Sequence, residues 1–446
     1  MAKKTIELKQ QPRDRTFLVG VELYGEEQLL SMDDSLAELE MLAHTAGLEI
    51  VGQAIQRLNR PNPKTFIGSG KVEEIKSLAE EFDAEVILFD DELSPRHQRE
   101  LERLFGEKMR VLDRTALILD IFAQHAETHE GSLQVELAQY EYRLPRLTRA
   151  WTHLARQAGG AGGRAGVGGV GLRGPGEKQL EVDRREIQRR IDFLKTELEK
   201  VRAHRERYRA RRKKSRIPVV ALVGYTNAGK STLLNSLAKA DVYVANQLFA
   251  TLDPTTRRVE LPGGHAALFT DTVGFIQKLP TQLVAAFRAT LEEIADAELL
   301  LHVIDVTHPN AQAQAEAVHQ TLAEIEADHI PILTVLNKID RFGNPEMANV
   351  ALENFPDAVA ISALKEQGFD ELLATITRKL YENYVEVSVE LPYEQGALIA
   401  LFHEQGQVDR VEHTRLGVEI DGRIPGRLLA RYRPFEAGDM IEEEVD

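Results

Sequence analysis

IPVVALVGYTNAGKSTLLNSL (217–237) decides the fold. An apolar run ends at Val223. Gly224-Tyr225-Thr226-Asn227-Ala228-Gly229-Lys230-Ser231 follows and fits G-x-x-x-x-G-K-[ST], and helical spacing of leucines comes next. Strand, glycine loop and helix is the context that a phosphate-binding loop demands. The backbone N–H groups of such a loop point at phosphate oxygens, aided by the helix N-terminus. Lys230 is placed to neutralise phosphate charge, and the Ser231 hydroxyl to ligate Mg²⁺.

Working outward, HAALFT (265–270) reads as a strand running into DTVG (271–274). Asp271 is expected to hold Mg²⁺ through water, and Gly274 to meet a γ-phosphate. ILTVLNKID (332–340) is a second strand ending in N-K-x-D. A carboxylate at Asp340 accepts hydrogen bonds from guanine's ring N–H and amino group, a pairing that adenine lacks. Asn337 and Lys338 support the base, and in AISALK (360–365) Ser362-Ala363 places a backbone N–H near guanine's O6. Together these choose GTP over ATP. NQLFATLDPTTRRVEL (246–261) is the expected switch that senses the γ-phosphate through a threonine on magnesium. Spacing leaves Thr251, Thr255 and Thr256 as candidates.

IGSGKVEEI (67–75) imitates a phosphate loop. The earlier glycine would fall at Thr65, and Val72 stands where the hydroxyl is needed, so it reads as a turn before a helix.

The chain has 446 residues, enough for about three domains. Residues 15–23, 48–58, 85–91 and 110–115 read as strands, and 33–47, 71–84 and 94–106 as helices. That alternation predicts a small α/β domain with a mainly parallel sheet, over 1–125. Leu133, Leu137, Tyr140, Leu144, Leu147, Trp151 and Leu154 form one heptad seam. Leu180, Ile187, Ile191, Leu194, Leu198, Val201 and Tyr208 form another. Joined by the glycine-rich stretch 157–178, they predict an antiparallel helical hairpin over 126–214, with a bend or a break at Pro145. The G domain is expected over 215–382. A small α+β domain of strand, helix and two strands follows over 383–446. The fold class is thus α/β: a P-loop G domain flanked by smaller domains.

The net charge of −16 hides an asymmetry. Residues 143–216 hold 22 Lys or Arg against 8 Asp or Glu, net +14, so the rest of the chain carries −30. A segment so basic, tipped by glycines with Arg164 and Arg173, suits a polyanion such as RNA. No run of about 18 apolar residues marks a membrane helix, and the N-terminus lacks secretory features. With no cysteine, disulfides and thiol chemistry are excluded, which suits the cytoplasm.

With this many motifs in order, the chain resembles the HflX family of GTPases. GYTNAGKS (224–231), LFATLDPTTR (248–257), DTVGFI (271–276), NKID (337–340) and GLRGPGEKQLE (171–181) carry the resemblance. So do ILFDDELSPRHQRELE (87–102) and DRTALILDIFAQHA (113–126). It departs at Lys178, where the family usually has threonine. Residue by residue, the resemblance places nucleotide contacts on Gly224, Tyr225, Thr226, Asn227, Ala228, Gly229, Lys230, Ser231, Phe249, Ala250, Thr251, Leu252 and Asp253. It adds Asp271, Thr272, Val273, Gly274, Asn337, Lys338, Ile339, Asp340, Ser362, Ala363 and Leu364. It prefers Thr251 as the switch ligand, giving Ser231 and Thr251 to the metal and Lys230, Thr251, Asp271 and Gly274 to catalysis. It further implies a monomer that binds the large ribosomal subunit through ribosomal RNA and, with GTP, splits stalled or idle ribosomes under heat or other stress. No DNA partner or membrane span is implied, although peripheral membrane association is compatible with it.

Phe275 stands where many small GTPases keep a water-orienting glutamine, which predicts slow intrinsic hydrolysis stimulated by the ribosome. Asn227 adds an expectation of K⁺ beside the phosphates. The competing reading is a GTP-dependent switch acting on a protein partner such as a membrane protease.

Overall fold

A computed structural model describes residues 14–25, 29–147, 175–215, 217–239, 248–249, 254–278, 294–295, 297–342, 352–355, 357–381, 384–415, 417–425 and 428–436. Arg164, Arg173 and Ala250–Asp253 lie outside them.

Among these residues three sheets form. The first is parallel, in the order β2-β1-β3-β4, from β1 (Arg15–Leu23), β2 (Glu49–Leu58), β3 (Val86–Phe89) and β4 (Arg110–Asp113). All four residues of β3 are buried, as expected of a strand covered on both faces. Helix α1 (Met32–Thr45) is capped by Ser31, whose hydroxyl accepts from the Asp34 N–H. Helices α2 (Ser69–Glu81) and α3 (Pro95–Phe105) follow; the latter starts on Ser94 with proline in its first turn. The imitation loop 67–75 is therefore the N-terminus of α2. The expected strand 110–115 stops at Asp113, because that carboxylate accepts the Ala116 N–H and starts helix α4 (Arg114–His125).

Helix α5 (His129–Arg143) ends where Leu144-Pro145-Arg146 turns into a 3₁₀ segment, so of the bend or break expected at Pro145 it is the break that forms. Helix α6 runs over Pro175–Ser215. The two seams do meet: Leu133 and Leu137 are buried with Ile191 and Leu194, flanked by Tyr140, Leu144, Ile187, Leu198 and Val201. Their direction corrects the expectation. Arg190 pairs with Glu136 and Lys195 with Glu141, both at 2.8 Å. The later residue of one helix meets the later residue of the other, so α5 and α6 run parallel rather than antiparallel. A heptad seam sets which faces meet and is silent on direction. Trp151 and Leu154 lie outside the described residues.

The second sheet has the order β10-β9-β8-β5-β7-β6, parallel except that β6 pairs antiparallel with β7. Its strands are β5 (Val219–Val223), β6 (Thr255–Glu260), β7 (Ala266–Asp271), β8 (Leu299–Asp305), β9 (Ile332–Asn337) and β10 (Val359–Ala360). Helices α7 (Lys230–Leu237), α8 (Ala311–Glu324) and α9 (Phe369–Tyr381) accompany it. The strand β7 lies on one side of β5 and β8 on the other, a topological switch that opens a crevice at the C-terminal strand ends. The third sheet is antiparallel, β11-β13-β12 (Tyr384–Pro392, Gln407–His413, Gly417–Pro425). Helix α10 (Gly396–Gln405) supplies Phe402 to its core.

One hydrophobic cluster joins the first two sheets. Leu36, Leu39, Ile118 and Phe122 from α1 and α4 share it with Tyr225, Phe249, Phe275 and Ile276.

Candidate functional site

The crevice gathers the motif residues because each follows a parallel strand end. After β5 the chain turns at Gly224, φ +148, and Gly229, φ +97, before α7 begins at Lys230. Both glycines are required. A Cβ on Gly224 would lie 2.3 Å from the Val303 carbonyl oxygen, and one on Gly229 2.3 Å from Asn337 Nδ2. Lys230 is buried, with Nζ donating to the carbonyls of Gly224 and Tyr225, each at 2.9 Å. Burial pushes its ammonium down to about 8. Asn227 is exposed at φ +60, while Thr226 and Ala228 are buried.

After β7, Asp271 Oδ2 accepts from the Ser231 hydroxyl at 2.6 Å. Thr272 donates to the Leu222 carbonyl at 2.6 Å, and Val273 is buried. Gly274 lies so near the phosphate loop that a Cβ there would sit 2.7 Å from Thr226 Cα. Phe275 then pairs by backbone: its N–H donates to Gly224 O at 3.1 Å, and its carbonyl accepts from Thr226 N at 2.8 Å. Its ring is buried. Phe249 is buried edge-on against Phe122, centroids 4.6 Å apart, and its N–H donates to Thr226 Oγ1 at 3.2 Å. Its switch neighbours Ala250, Thr251, Leu252 and Asp253 lie outside the described residues, as do Arg164 and Arg173.

After β9, Asn337 bridges two loops. Its Nδ2 donates to Ala228 O at 2.8 Å, and its Oδ1 accepts from Ala363 N at 2.9 Å. Lys338, at φ +70, donates to Asn227 O at 2.8 Å and to Asp305 Oδ2 at 2.7 Å. Burial raises the Asp305 carboxyl, but hydrogen bonds from Lys338 and Thr307 outweigh it and leave it low. Ile339 and Asp340 are half-buried, and Asp340 Oδ1 accepts from the Ser362 hydroxyl at 2.5 Å. Ser362 and Ala363 are buried; Leu364 is exposed. The described motif residues thus converge on one crevice. A cationic and amide-lined loop stands at one end and a carboxylate with a backbone N–H at the other.

Sequence reading missed a second set of charges beneath this crevice. Arg114 is fully buried between Glu38, with which it pairs, and Asp90, at 2.6 Å. Ser35 also donates to Asp90, at 2.8 Å. Tyr225 OH donates to Glu38 Oε1 at 2.5 Å and accepts from Gln277 N at 2.9 Å. Burial and the adjacent Glu38 push the phenol up. Burial also raises Glu38, against the pull of Arg114. Lys278 closes the set, 2.6 Å from both Asp90 and Asp91. No short spacing signals these residues. Only their membership of 87–102 and 113–126 set some of them apart.

Comparison with known proteins gives three family matches in chain order: GTP-binding GTPase N-terminal over 33–123, GTP-binding GTPase Middle Region over 125–212, and 50S ribosome-binding GTPase over 219–338. The chain is 46% identical to GTPase HflX of Escherichia coli over 378 residues, covering 84% of this chain and 86% of that one. It is 44% identical to GTPase HflX of Caldanaerobacter subterraneus over 427 residues, covering 95% and 94%. Among solved structures it is similar to a GTP-binding protein from Sulfolobus solfataricus in complex with GDP. Identity there is 25%, TM-score 0.41, and coverage 82% of this chain and 99% of that one.

Proposed function

Since the chain belongs to the HflX family of GTPases, we propose that it binds the large ribosomal subunit and, in its GTP form, separates stalled or idle ribosomes into subunits. The crevice carries the enzymatic half of this reading. GTP would lie with its phosphates along Gly224–Ser231 and its base between Asp340 and Ala363. Lys230 would leave the two carbonyls it now holds for β/γ-phosphate oxygens. Asp340, positioned by Ser362, would take the guanine N–H groups, and the Asn337 bridge would keep the two ends of the site at a set distance.

The Ser231 hydroxyl and the Asp271 carboxylate meet at 2.6 Å beside Lys230, a pair of hard oxygen donors that fits Mg²⁺. Bound there, Mg²⁺ would neutralise phosphate charge. Thr251 is the proposed additional ligand, by motif match. K⁺ near Asn227 remains a proposal on the same footing.

The residue after Gly274 is a buried phenylalanine whose backbone is paired to the phosphate loop. It has no group to orient a water. That supports slow turnover of the protein alone, with the missing water-orienting group supplied by the ribosome. The ribosomal half of the reading is supported by the match to 50S ribosome-binding GTPases over 219–338 and by the basic segment 143–216 with Arg164 and Arg173 near its glycine-rich tip. No described helix is long and apolar enough to cross a membrane.

The test is GTP turnover with and without purified large subunits, in K⁺ and in Na⁺. Stimulation by the subunits is expected. Fast turnover of the isolated protein, unchanged by subunits, would refute slow intrinsic hydrolysis. Rates equal in the two salts would remove K⁺.

A further inference from the structure

The loop that leaves Gly274 ends on a strained residue. Lys278 sits at φ +54, in the left-handed region that is unfavourable for a non-glycine residue. Two contacts hold it there. Its ammonium lies 2.6 Å from Asp90 Oδ2 and 2.6 Å from Asp91 Oδ1, at the C-terminal edge of β3. Asp90 is fully buried; Arg114 holds its other oxygen, Oδ1, and Ser35 donates to the same Oδ2 that Lys278 meets. The lysine is therefore tied to a fixed point of the first sheet, not to a mobile surface charge.

The same stretch is fastened to the phosphate loop. Phe275 pairs with Gly224 and Thr226, and Gln277 N donates to Tyr225 OH. Lys278 and Asp91 also line a cleft of about 1060 Å³ with Pro61, Phe66, Gln277 and Pro309, between the first sheet and α8. That space gives Gln277 and Lys278 room to move.

We infer that Lys278 is a positioning residue that latches the 271–278 loop to the first sheet when no γ-phosphate is held, making nucleotide state and N-terminal docking one linked equilibrium. This rests on the reading that Gly224–Ser231 holds GTP. Gly274 lies four residues before Lys278. Drawing Gly274 to a γ-phosphate drags the backbone that carries the ammonium and relaxes its left-handed turn, so the contacts to Asp90 and Asp91 open. Linkage is reciprocal: whatever holds Lys278 on the aspartates weakens GTP relative to GDP by the same factor.

The test uses the full-length protein as wild type, Lys278→Gln and Lys278→Arg. Hydrogen exchange of 86–91 and 114–125 is read with GDP and with a non-hydrolysable GTP analogue, together with the affinity for each. In the wild type, exchange at 86–91 should be faster with the analogue than with GDP. In Lys278→Gln it should be fast with both, and the ratio of analogue to GDP affinity should rise about five- to tenfold. Lys278→Arg should behave as wild type. Nucleotide-dependent exchange that persists in Lys278→Gln, an affinity ratio that does not rise, or an arginine variant matching the glutamine one would each overturn the latch while leaving the binding site intact. A wild type that binds neither nucleotide would overturn the site reading and the latch with it.

Discussion

The phenol of Tyr225, inside the phosphate loop, donates at 2.5 Å to the buried carboxylate of Glu38, 187 residues earlier in the chain. The nucleotide crevice and the first sheet are thereby joined by that hydrogen bond and by the ion pairs of Lys278, beneath the aromatic contact of Phe249 on Phe122. Tyr225→Phe removes one donor from a carboxylate that stays buried. Such a loss costs about 1–3 kcal/mol. The denaturant midpoint of the variant should fall accordingly, and an unchanged midpoint would show that the contact is not formed in solution.

Asp340→Asn exchanges an acceptor for a donor opposite guanine's amino group. GTP affinity should drop by at least about a hundredfold, since a site built to hydrogen-bond one group rejects its mismatch strongly. Xanthosine triphosphate, which presents a carbonyl at that position, should bind the variant better than GTP does. Retained GTP affinity would move the base elsewhere.

Burial holds the Lys230 ammonium down to about 8. A polyphosphate needs it protonated and raises it again on binding. Below about 8 the lysine is already charged and affinity is insensitive to its titration. As pH climbs through 8 toward the ordinary lysine range, each binding event must take up a proton, so affinity falls by up to tenfold per pH unit. Calorimetry at pH 7 and pH 9.5, in buffers of different ionisation enthalpy, reads both the fall and the proton uptake.

Gly274→Ala places a Cβ 2.7 Å from Thr226 Cα, against backbone that cannot turn aside. The 271–278 loop should then seat badly against the phosphate loop. GDP binding should persist within a few-fold while hydrolysis drops by an order of magnitude or more, as measured by single-turnover kinetics. Equal losses in both would point to a general unfolding of the site.

Much of this arrangement was legible in the sequence, for reasons that differ from part to part. The phosphate loop, DTVG and NKID were readable because each needs particular residue types at a fixed spacing after a strand. The structure brings their described members to one crevice. The strands of the first and third sheets were readable from apolar alternation between helices. Helix α4 was missed because the strand before it ends on Asp113, which serves as both strand end and cap. The parallel run of α5 and α6 was unreadable because the seam residues Leu133, Leu137, Ile191 and Leu194 would be the same in either direction. The buried charges were invisible for another reason. Glu38, Asp90, Arg114 and Lys278 come from four separate segments, and each alone looks like an ordinary surface residue.

The proposed separation of ribosomal subunits by the GTP form is open to direct measurement. Sucrose-gradient sedimentation of intact ribosomes with the full-length protein and a non-hydrolysable GTP analogue tests it most directly. The ribosome peak should give way to subunits, with the protein travelling on the large one, and GDP should leave the peak in place. Ribosomes that stay joined, with the protein left at the top of the gradient, would contradict it.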